Sequence, residues 1–534
     1  MENILPEMSD RPKSQSVRCE QDGKPQEDLT GRDRLVSNVL FSWGAHFVFI
    51  IAGFIMPRMI DRRLGQELLG VWDFAWSLVS YYSLVQAGLG SSVNRYVARY
   101  RAAGDIAGVN RIVSSASCIL GVVGLLVLGL TIALSLRLPQ FFGARLGENV
   151  LDAQWVVFFL GASVGIQMSF AAFNGVVTGC HRWEVHNVIK SGWHAVTVLG
   201  MMVALLQGGG LRSLAVITFA GLALACMTHI IIAHRVCKGL RLRPSLVGWK
   251  TIKGLFVFGG KSLMPSVSRL LMNQTISILI VAYLGPSMLA LYARPLSLIR
   301  HVNALVNKMA MTLKPIASSL QSTKNLEGIR MLLIQSVRYS LYMALPMVLV
   351  LIIFGGPVLQ FWMGPRYASG LLSAILAVGY LAPMAHTPVL KILGGMNAHG
   401  RAGIAYVIAS LCSVGLTVLV LGYLGLGLVG VAVAVTLPLT VVNVVYLPLL
   451  TCRRVGLGFR QYFLSIMVGP TVHILPFAIC LVGARLVFHT EPLLGLIWGG
   501  VVGLAILVVI YWRYVLPDQI KKRVVPNRKQ QMAV

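Results

Sequence analysis

Long apolar runs recur along this chain from residue 35 to residue 514, separated by short segments rich in charge, Gly or Pro. Each run holds about 20 residues or more, enough for a helix rising ~1.5 Å per residue to cross ~30 Å of hydrocarbon. The runs predict fourteen spans, at 35–57, 69–93, 112–136, 153–175, 188–207, 213–233, 254–284, 288–312, 333–356, 371–390, 402–423, 425–450, 463–487 and 492–514. The weakest division is the one at Gly425. The predicted fold class is an all-α membrane protein of about 14 transmembrane helices.

One internal repeat is visible. "LGQELLGVWDFAWSL" from Leu64 and "LGPSMLALYARPLSL" from Leu284 share Leu-Gly, an apolar residue at Leu69 and Leu289, an aromatic at Trp72 and Tyr292, and Ser77-Leu78 with Ser297-Leu298. The offset of 220 residues spans an even number of crossings, so both copies run the same way through the membrane. A parallel pseudo-repeat of two six-helix lobes follows, related by an axis along the membrane normal, with two extra C-terminal helices. The expected organisation is a disordered cytosolic tail over 1–34, a lobe over 35–233, a cytosolic linker over 234–253 and a second lobe over 254–450. Helices 13 and 14 occupy 451–514, and a basic cytosolic tail fills 515–534.

Composition sharpens this picture. Of 534 residues 56% are hydrophobic and 12% charged, where soluble domains carry about a quarter charged. The net charge of +28 is a statement about membrane sidedness rather than nucleic acid. With the N-terminus in the cytosol, about 35 of the 46 Lys and Arg residues fall on inner segments, notably "HRVCKGLRLRPSLVGWKTIKG" and "KKRVVPNRK". Both termini are therefore expected in the cytosol, and the basic inner face suits anionic lipid. The eight cysteines are scattered without a CxxC pair, which points to free thiols and no metal site.

Polar residues inside the spans fall on faces. On the seventh, Ser262, Ser266, Arg269, Asn273 and Ser277 follow at +4, +3, +4 and +4, one stripe of a helix with Gln274 at its margin. On the eighth, Arg294, Ser297, His301 and Lys308 share a face beside Arg300, Asn303 and Asn307. The first span carries Asn38, Ser42 and His46 at +4 spacing, and the second adds Asp73, Ser77 and Ser80. An Arg at mid-bilayer costs about 2.5–3.5 kcal/mol on insertion scales, so Arg269 and Arg300 need water or an anion to meet them. Polar stripes of this kind are reasonable where they line a wet cavity between lobes; against lipid nothing would satisfy them. Arg294 can also snorkel to the outer surface, and Ser and Asn stripes also serve as helix–helix contacts.

The sign of the cavity is informative. Eight of the 18 acidic residues lie in the N-terminal tail, and Asp73 alone reads as intramembrane. A cation or proton transporter would show carboxylates in its spans. Arg suits phosphate, because its planar fork donates two charge-assisted hydrogen bonds at once. An anion-binding cavity follows.

The opening spans, from "SNVLFSWGAHFVF" through "RRLGQELLGVW", "AGLGSS" and "NRYVARY", resemble Wzx-type polysaccharide flippases of the multidrug/oligosaccharidyl-lipid/polysaccharide exporter superfamily. "GGPVLQFWMGPRYASG" and "LGGMNAHGR" extend the resemblance. It implies fourteen helices in two lobes around a cationic cavity. It also implies translocation of an undecaprenyl-pyrophosphate-linked oligosaccharide across a bacterial inner membrane, without catalysis or cofactor. Polysaccharide-assembly proteins become candidate partners. Related lipid II flippases place arginines from spans one, two and eight in the cavity. Arg294 and Arg300 match the last; span one here offers only His46, and Gln274 stands where relatives carry Asp. The expected pyrophosphate and sugar ligands are Arg269, Arg300, Arg294, His46, Asn273, Gln274 and His301. Asn38, Ser42, Asp73, Ser77, Ser262, Ser266, Asn303 and Asn307 would line the cavity.

Two rivals stand beside this reading. A multidrug/cation antiporter of the same architecture predicts membrane carboxylates. A membrane-embedded polysaccharide polymerase or ligase predicts a sizeable outer loop, whereas the longest here, Arg137 to Asp152, is short. "HRWEVH" at His181 offers metal-like spacing but reads as a solvated helix end.

Overall fold

The computed structural model describes residues 35–86, 89–249, 251–253, 263–398, 400–516 and 521. The N-terminal tail, most of the basic C-terminal tail, the end of the linker and Ser262 lie outside the described residues, as does the side chain of Ser266. The first lobe comprises α1 (Leu35–Leu64), α2 (Gln66–Val79), α3 (Leu89–Ala102), α4 (Ile106–Leu146), α5 (Val150–Ser169), α6 (Ala171–Gly179), α7 (Trp183–Leu206) and α8 (Leu211–Val236). The second begins with α9 (Leu263–Leu270), α10 (Ile276–Leu284), α11 (Pro286–Ala310), α12 (Leu313–Ser322), α13 (Leu326–Met363) and α14 (Gly370–Gly395). It closes with α15 (Gly400–Leu419), α16 (Gly427–Val441) and α17 (Leu447–Val455), and the chain ends on the hairpin of α18 (Phe459–Val487) and α19 (Pro492–Ile510).

Among the described residues, eleven helices are long and apolar enough to cross a membrane. One of them, Ile106–Ser169, folds back at the tight turn Gly147–Asn149 and so holds two expected spans. Two further expected spans miss the criterion for physical reasons. The α2 run breaks at Ser80–Tyr82, and α11 carries Arg294, Arg300, His301 and Lys308. The loop expected from Arg137 to Asp152 is mostly helix, because α4 continues to Leu146. Gly425 does divide two helices, adopting a left-handed cap (φ 63°) that a side chain would resist.

The repeat is visible in backbone geometry beyond the one sequence match. Gly65 and Gly285, 220 residues apart, precede α2 and α11 with nearly the same torsions, φ 94° and ψ 166° against φ 89° and ψ 171°. Asp105 caps α4 by accepting from Gly108 N (2.7 Å), and Asn325, again 220 residues on, caps α13 by accepting from Gly328 N (2.8 Å). Each cap satisfies an amide that the first helical turn leaves unpaired.

One hydrophobic cluster joins the lobes at one end, whereas at the other end each lobe has its own. A single hydrophobic cluster takes in Met56, Ile60 and Leu69 from the first lobe with Leu289, Trp362 and Tyr367 from the second, all at the end expected to face outward. At the opposite end each lobe has a cluster of its own, one around Val97, Val109 and Ala233 and the other around Ala317, Ile329 and Val455.

Candidate functional site: a chain of three cavities

The seventh passage decides where its polar residues point. Between α9 and α10 the backbone widens into a π-helical turn, Leu271–Thr275, so the residues beyond it rotate relative to an uninterrupted α-helix. The predicted single stripe therefore splits. Arg269 and Asn273 face a chamber inside the second lobe, while Gln274 and Ser277 face a pocket between the lobes. π-turns inside α-helices recur at functional sites.

The second-lobe chamber has a volume of about 730 Å³, and its first-lobe counterpart, lined by α1, α2, α7 and α8, about 760 Å³. Arg269 and Arg300 line it with Lys314 and Lys391, and Asn303 and Asn307 face it from α11. Among the described residues its lining contains no Asp or Glu. Arg269 and Arg300 are both exposed to the chamber. The Arg300 Nη2 donates to Asn273 Oδ1 at 3.0 Å, and Asn273 Nδ2 donates to the Arg269 carbonyl at 2.8 Å. Asn273 thus orients Arg300 without neutralising it.

A smaller pocket of about 270 Å³ lies where α1 and α2 meet α10 and α11. Ser77, Ser80, Gln274, Ser277 and Ser297 give it a polar wall. It shares Arg300 with the second-lobe chamber and Gly53, Pro57 and Trp76 with the first-lobe chamber, so it lies between the two and borders each.

Arg294 departs from its expected role. Its side chain is 6% exposed and its Nη2 donates to Asp73 Oδ2 from the other lobe. A guanidinium so buried would be costly unpaired, and the carboxylate offsets that cost. Arg294 and Asp73 touch the interlobe pocket, but each already holds the other. The pair is a tie between lobes. Other ties sit beside it: Arg58 Nη1 to the Phe361 carbonyl (2.8 Å), Trp362 Nε1 to the Phe54 carbonyl (2.7 Å), Tyr367 Oη to Asp61 (2.5 Å) and Gln66 Nε2 to the Ser287 carbonyl (2.9 Å). Tyr81 and Thr275 hydroxyls also hydrogen-bond across the lobes.

His46 and His301 are not among the residues lining any of the three cavities. His301 stacks on Phe54 with ring centroids 5.2 Å apart, and Lys308 lies 3.9 Å over the Trp43 ring. These contacts place the shared polar face of α1 and α11 at the lobe boundary. Asn38 accepts from Glu184 N (2.8 Å), fastening α1 to the start of α7, and Ser42 is exposed outside the chambers. The "HRWEVH" end is not simply solvated. His186 turns inward and joins His229 in lining the first-lobe chamber with Lys190 and three tryptophans. The sequence did carry a sign of this face, since His186, Lys190 and His194 follow at +4 and form one stripe on α7.

Comparison with known proteins agrees with this architecture. A family model described as polysaccharide biosynthesis protein matches residues 109–370. The membrane protein EpsK of Bacillus subtilis, itself uncharacterized, is 24% identical over 436 residues, 79% of this chain and 84% of the relative. A Shigella flexneri protein described as a candidate O-antigen transporter is 22% identical over 333 residues, 60% of this chain and 76% of the relative. The resemblance to Wzx-type polysaccharide flippases holds. Among solved structures, the fold is similar to lipid II flippase MurJ in an inward closed conformation, with TM-score 0.67 and 13% identity over 90% of this chain and 100% of that one. An inward-facing multidrug resistance MATE family transporter gives TM-score 0.66 and 15% identity over 77% and 94%. The chain therefore shares its fold with a lipid II flippase and a multidrug transporter alike, and its own cavity chemistry must distinguish among such substrates.

Proposed function

We propose that the protein is a flippase that moves an undecaprenyl-diphosphate-linked oligosaccharide from the cytosolic to the outer leaflet of a bacterial inner membrane by alternating access. The observation that carries this reading is the second-lobe chamber, lined by Arg269, Arg300, Lys314 and Lys391 with no carboxylate among its described residues. Four cationic side chains around one wet cavity repel one another, and a diphosphate relieves that repulsion while accepting paired bonds from the guanidinium forks. The relatives' names, polysaccharide biosynthesis and O-antigen transport, fit a lipid-linked sugar as the cargo.

The lobe contacts supply the conformational half of the proposal. Hydrogen bonds and the shared hydrophobic cluster close the end expected to face outward, while the other end has separate clusters. This arrangement presents the chambers toward the basic, expected cytosolic side. Rocking of the lobes about the interlobe pocket would then open the opposite side, with Arg294 and Asp73 parting as the outer ties break. No bond in the cargo is made or broken, so the protein acts as a transporter. A cation antiporter would need an unpaired chamber carboxylate, and Asp73 is held by Arg294.

Genetic complementation tests this reading. A strain lacking the protein and carrying the Arg269→Ala/Arg300→Ala form should fail to restore surface polysaccharide and should accumulate its lipid-linked precursor. Full restoration by the double variant at normal protein level would sink the proposed site.

A further inference from the structure

The first-lobe chamber occupies the position in its lobe that the cationic chamber occupies in the other, yet its chemistry is different. At the repeat offset of 220, Phe49 stands where the second lobe has Arg269, and Ser80 where it has Arg300. Both chambers fall in the range of about 300–1,000 Å³ typical of ligand sites. One presents cations and amides; the other presents aromatic faces and imidazoles.

The first-lobe surfaces are fixed in orientation. Trp193 Nε1 donates to Thr228 Oγ1 at 2.9 Å, which sets the plane of its indole. Trp72 and Trp76 meet edge to face with centroids 6.4 Å apart, an arrangement aromatic pairs favour. His229 Nδ1 lies 2.8 Å from the Ala225 carbonyl, so it carries the proton there and leaves its Nε2 as an acceptor. His186 Nδ1, 3.1 Å from that Nε2, must then be the donor. The consequence is that neutral His186 keeps a bare Nε2, an acceptor set by a relay anchored in backbone. Lys190 adds one donor, its Nζ lying 5.5 Å from the Phe49 ring centroid.

Flat apolar faces beside fixed hydrogen-bond acceptors and donors suit a neutral polyhydroxylated ring, which has apolar C–H faces and a rim of hydroxyls. They suit a lipophilic cation poorly, since the lining among the described residues holds Lys190 and no carboxylate. One Lys also makes a weaker anion site than the two Arg and two Lys next door. The interlobe pocket, walled by Ser and Gln side chains, lies between the two chambers and shares Arg300 with one and Trp76 with the other.

We infer that the first-lobe chamber is a glycan subsite, where sugar units of the cargo stack on Trp72 and Trp76 and donate a hydroxyl to His186 Nε2. The inference rests on the flippase reading above and divides the cargo between lobes. The diphosphate sits at Arg269 and Arg300, and the attached oligosaccharide passes the interlobe pocket into the aromatic chamber.

Two probes separate the subsites in purified full-length protein in nanodiscs. One is undecaprenyl diphosphate, without sugar; the other is the glycolipid pool extracted from a strain lacking the transporter. Trp76→Leu and His186→Leu should each weaken glycolipid binding by about tenfold while leaving undecaprenyl diphosphate within about twofold. Arg269→Ala/Arg300→Ala should weaken both probes. As a readout on the unmodified chain, tryptophan fluorescence should respond to the glycolipid pool and not to undecaprenyl diphosphate, since three of the ten tryptophans line this chamber. Wild-type glycolipid affinity in both first-lobe variants, or no fluorescence difference between the probes, overturns the glycan subsite. Loss of response confined to the sugar probe with Arg variants unaffected would instead remove the diphosphate reading and leave the glycan subsite standing.

Discussion

Gly70 is the position at which one methyl group should shift the lobes. It lies on α2 where that helix crosses the start of α11, and a Cβ there would stand 1.8 Å from the Pro286 carbonyl oxygen and 2.3 Å from its carbon. Backbone cannot swing aside as a flexible side chain does, so α2 and α11 must separate by about 1.5 Å to regain ordinary contact. The separation also stretches the Gln66–Ser287 bond, now 2.9 Å. Overpacking of this kind costs about 1–3 kcal/mol and a lost hydrogen bond about 1 kcal/mol. Gly70→Ala should therefore weaken the outer closure by about 2–4 kcal/mol, roughly 30- to 1,000-fold in the ratio of closed to open forms. Spin labels at Arg63→Cys and Arg366→Cys, both exposed and on opposite lobes, would report it by pulsed distance measurement. Replacing the exposed Cys118 and Cys412 beforehand limits stray labelling. A new, longer distance population is the expected result. A distribution identical to wild type in folded Gly70→Ala protein would refute the reasoning that this contact seals the lobes.

Further predictions concern individual contacts. Asp73→Ala leaves the buried Arg294 without its carboxylate and should lower unfolding stability in detergent by about 3 kcal/mol. Adding Arg294→Met to that variant should recover most of the loss, which a thermal shift series would show. Lys314→Gln and Lys391→Gln act at the chamber as single point charges and should each weaken undecaprenyl diphosphate binding only about threefold. Gly355→Ala places a Cβ 2.2 Å from Ser373 Oγ and 2.7 Å from its Cβ at the α13–α14 contact and should destabilise the second lobe by about 1–3 kcal/mol, with Ser373→Gly as the relieving partner change.

The fold was largely legible because lipid allows few alternatives: an apolar run long enough to cross must satisfy its backbone internally, and a helix does so. The repeat was legible at Leu64 and Leu284 because a positive-φ Gly after a helix end is a constraint written in one residue. At Asp105 and Asn325 it was not, since different side chains do the same capping. Arg269 and Arg300 were found because a charge inside a span is conspicuous on cost alone. Arg294 looked identical by that measure. Its partner, Asp73, lies 221 residues away, and a pairing across lobes leaves no local pattern. The split of the seventh-span stripe was hidden because the α-helical periodicity used to draw it fails at the π-turn. His186 was read within "HRWEVH" as part of a solvated helix end because its partner His229 comes from the next helix, and their proximity depends on how α7 and α8 pack.

The central claim is that guanidinium groups in the second-lobe chamber grip a diphosphate. Its most direct measurement is the affinity of the nanodisc-embedded protein for undecaprenyl diphosphate, wild type against Arg269→Ala/Arg300→Ala, at low and high salt. Two charge-assisted contacts open to chamber water are worth about 1–1.5 kcal/mol each, so the double variant should bind roughly 30- to 150-fold more weakly and show a shallower salt dependence, the remainder coming from Lys314 and Lys391. Equal affinity for the two proteins, with the same response to salt, would contradict the account.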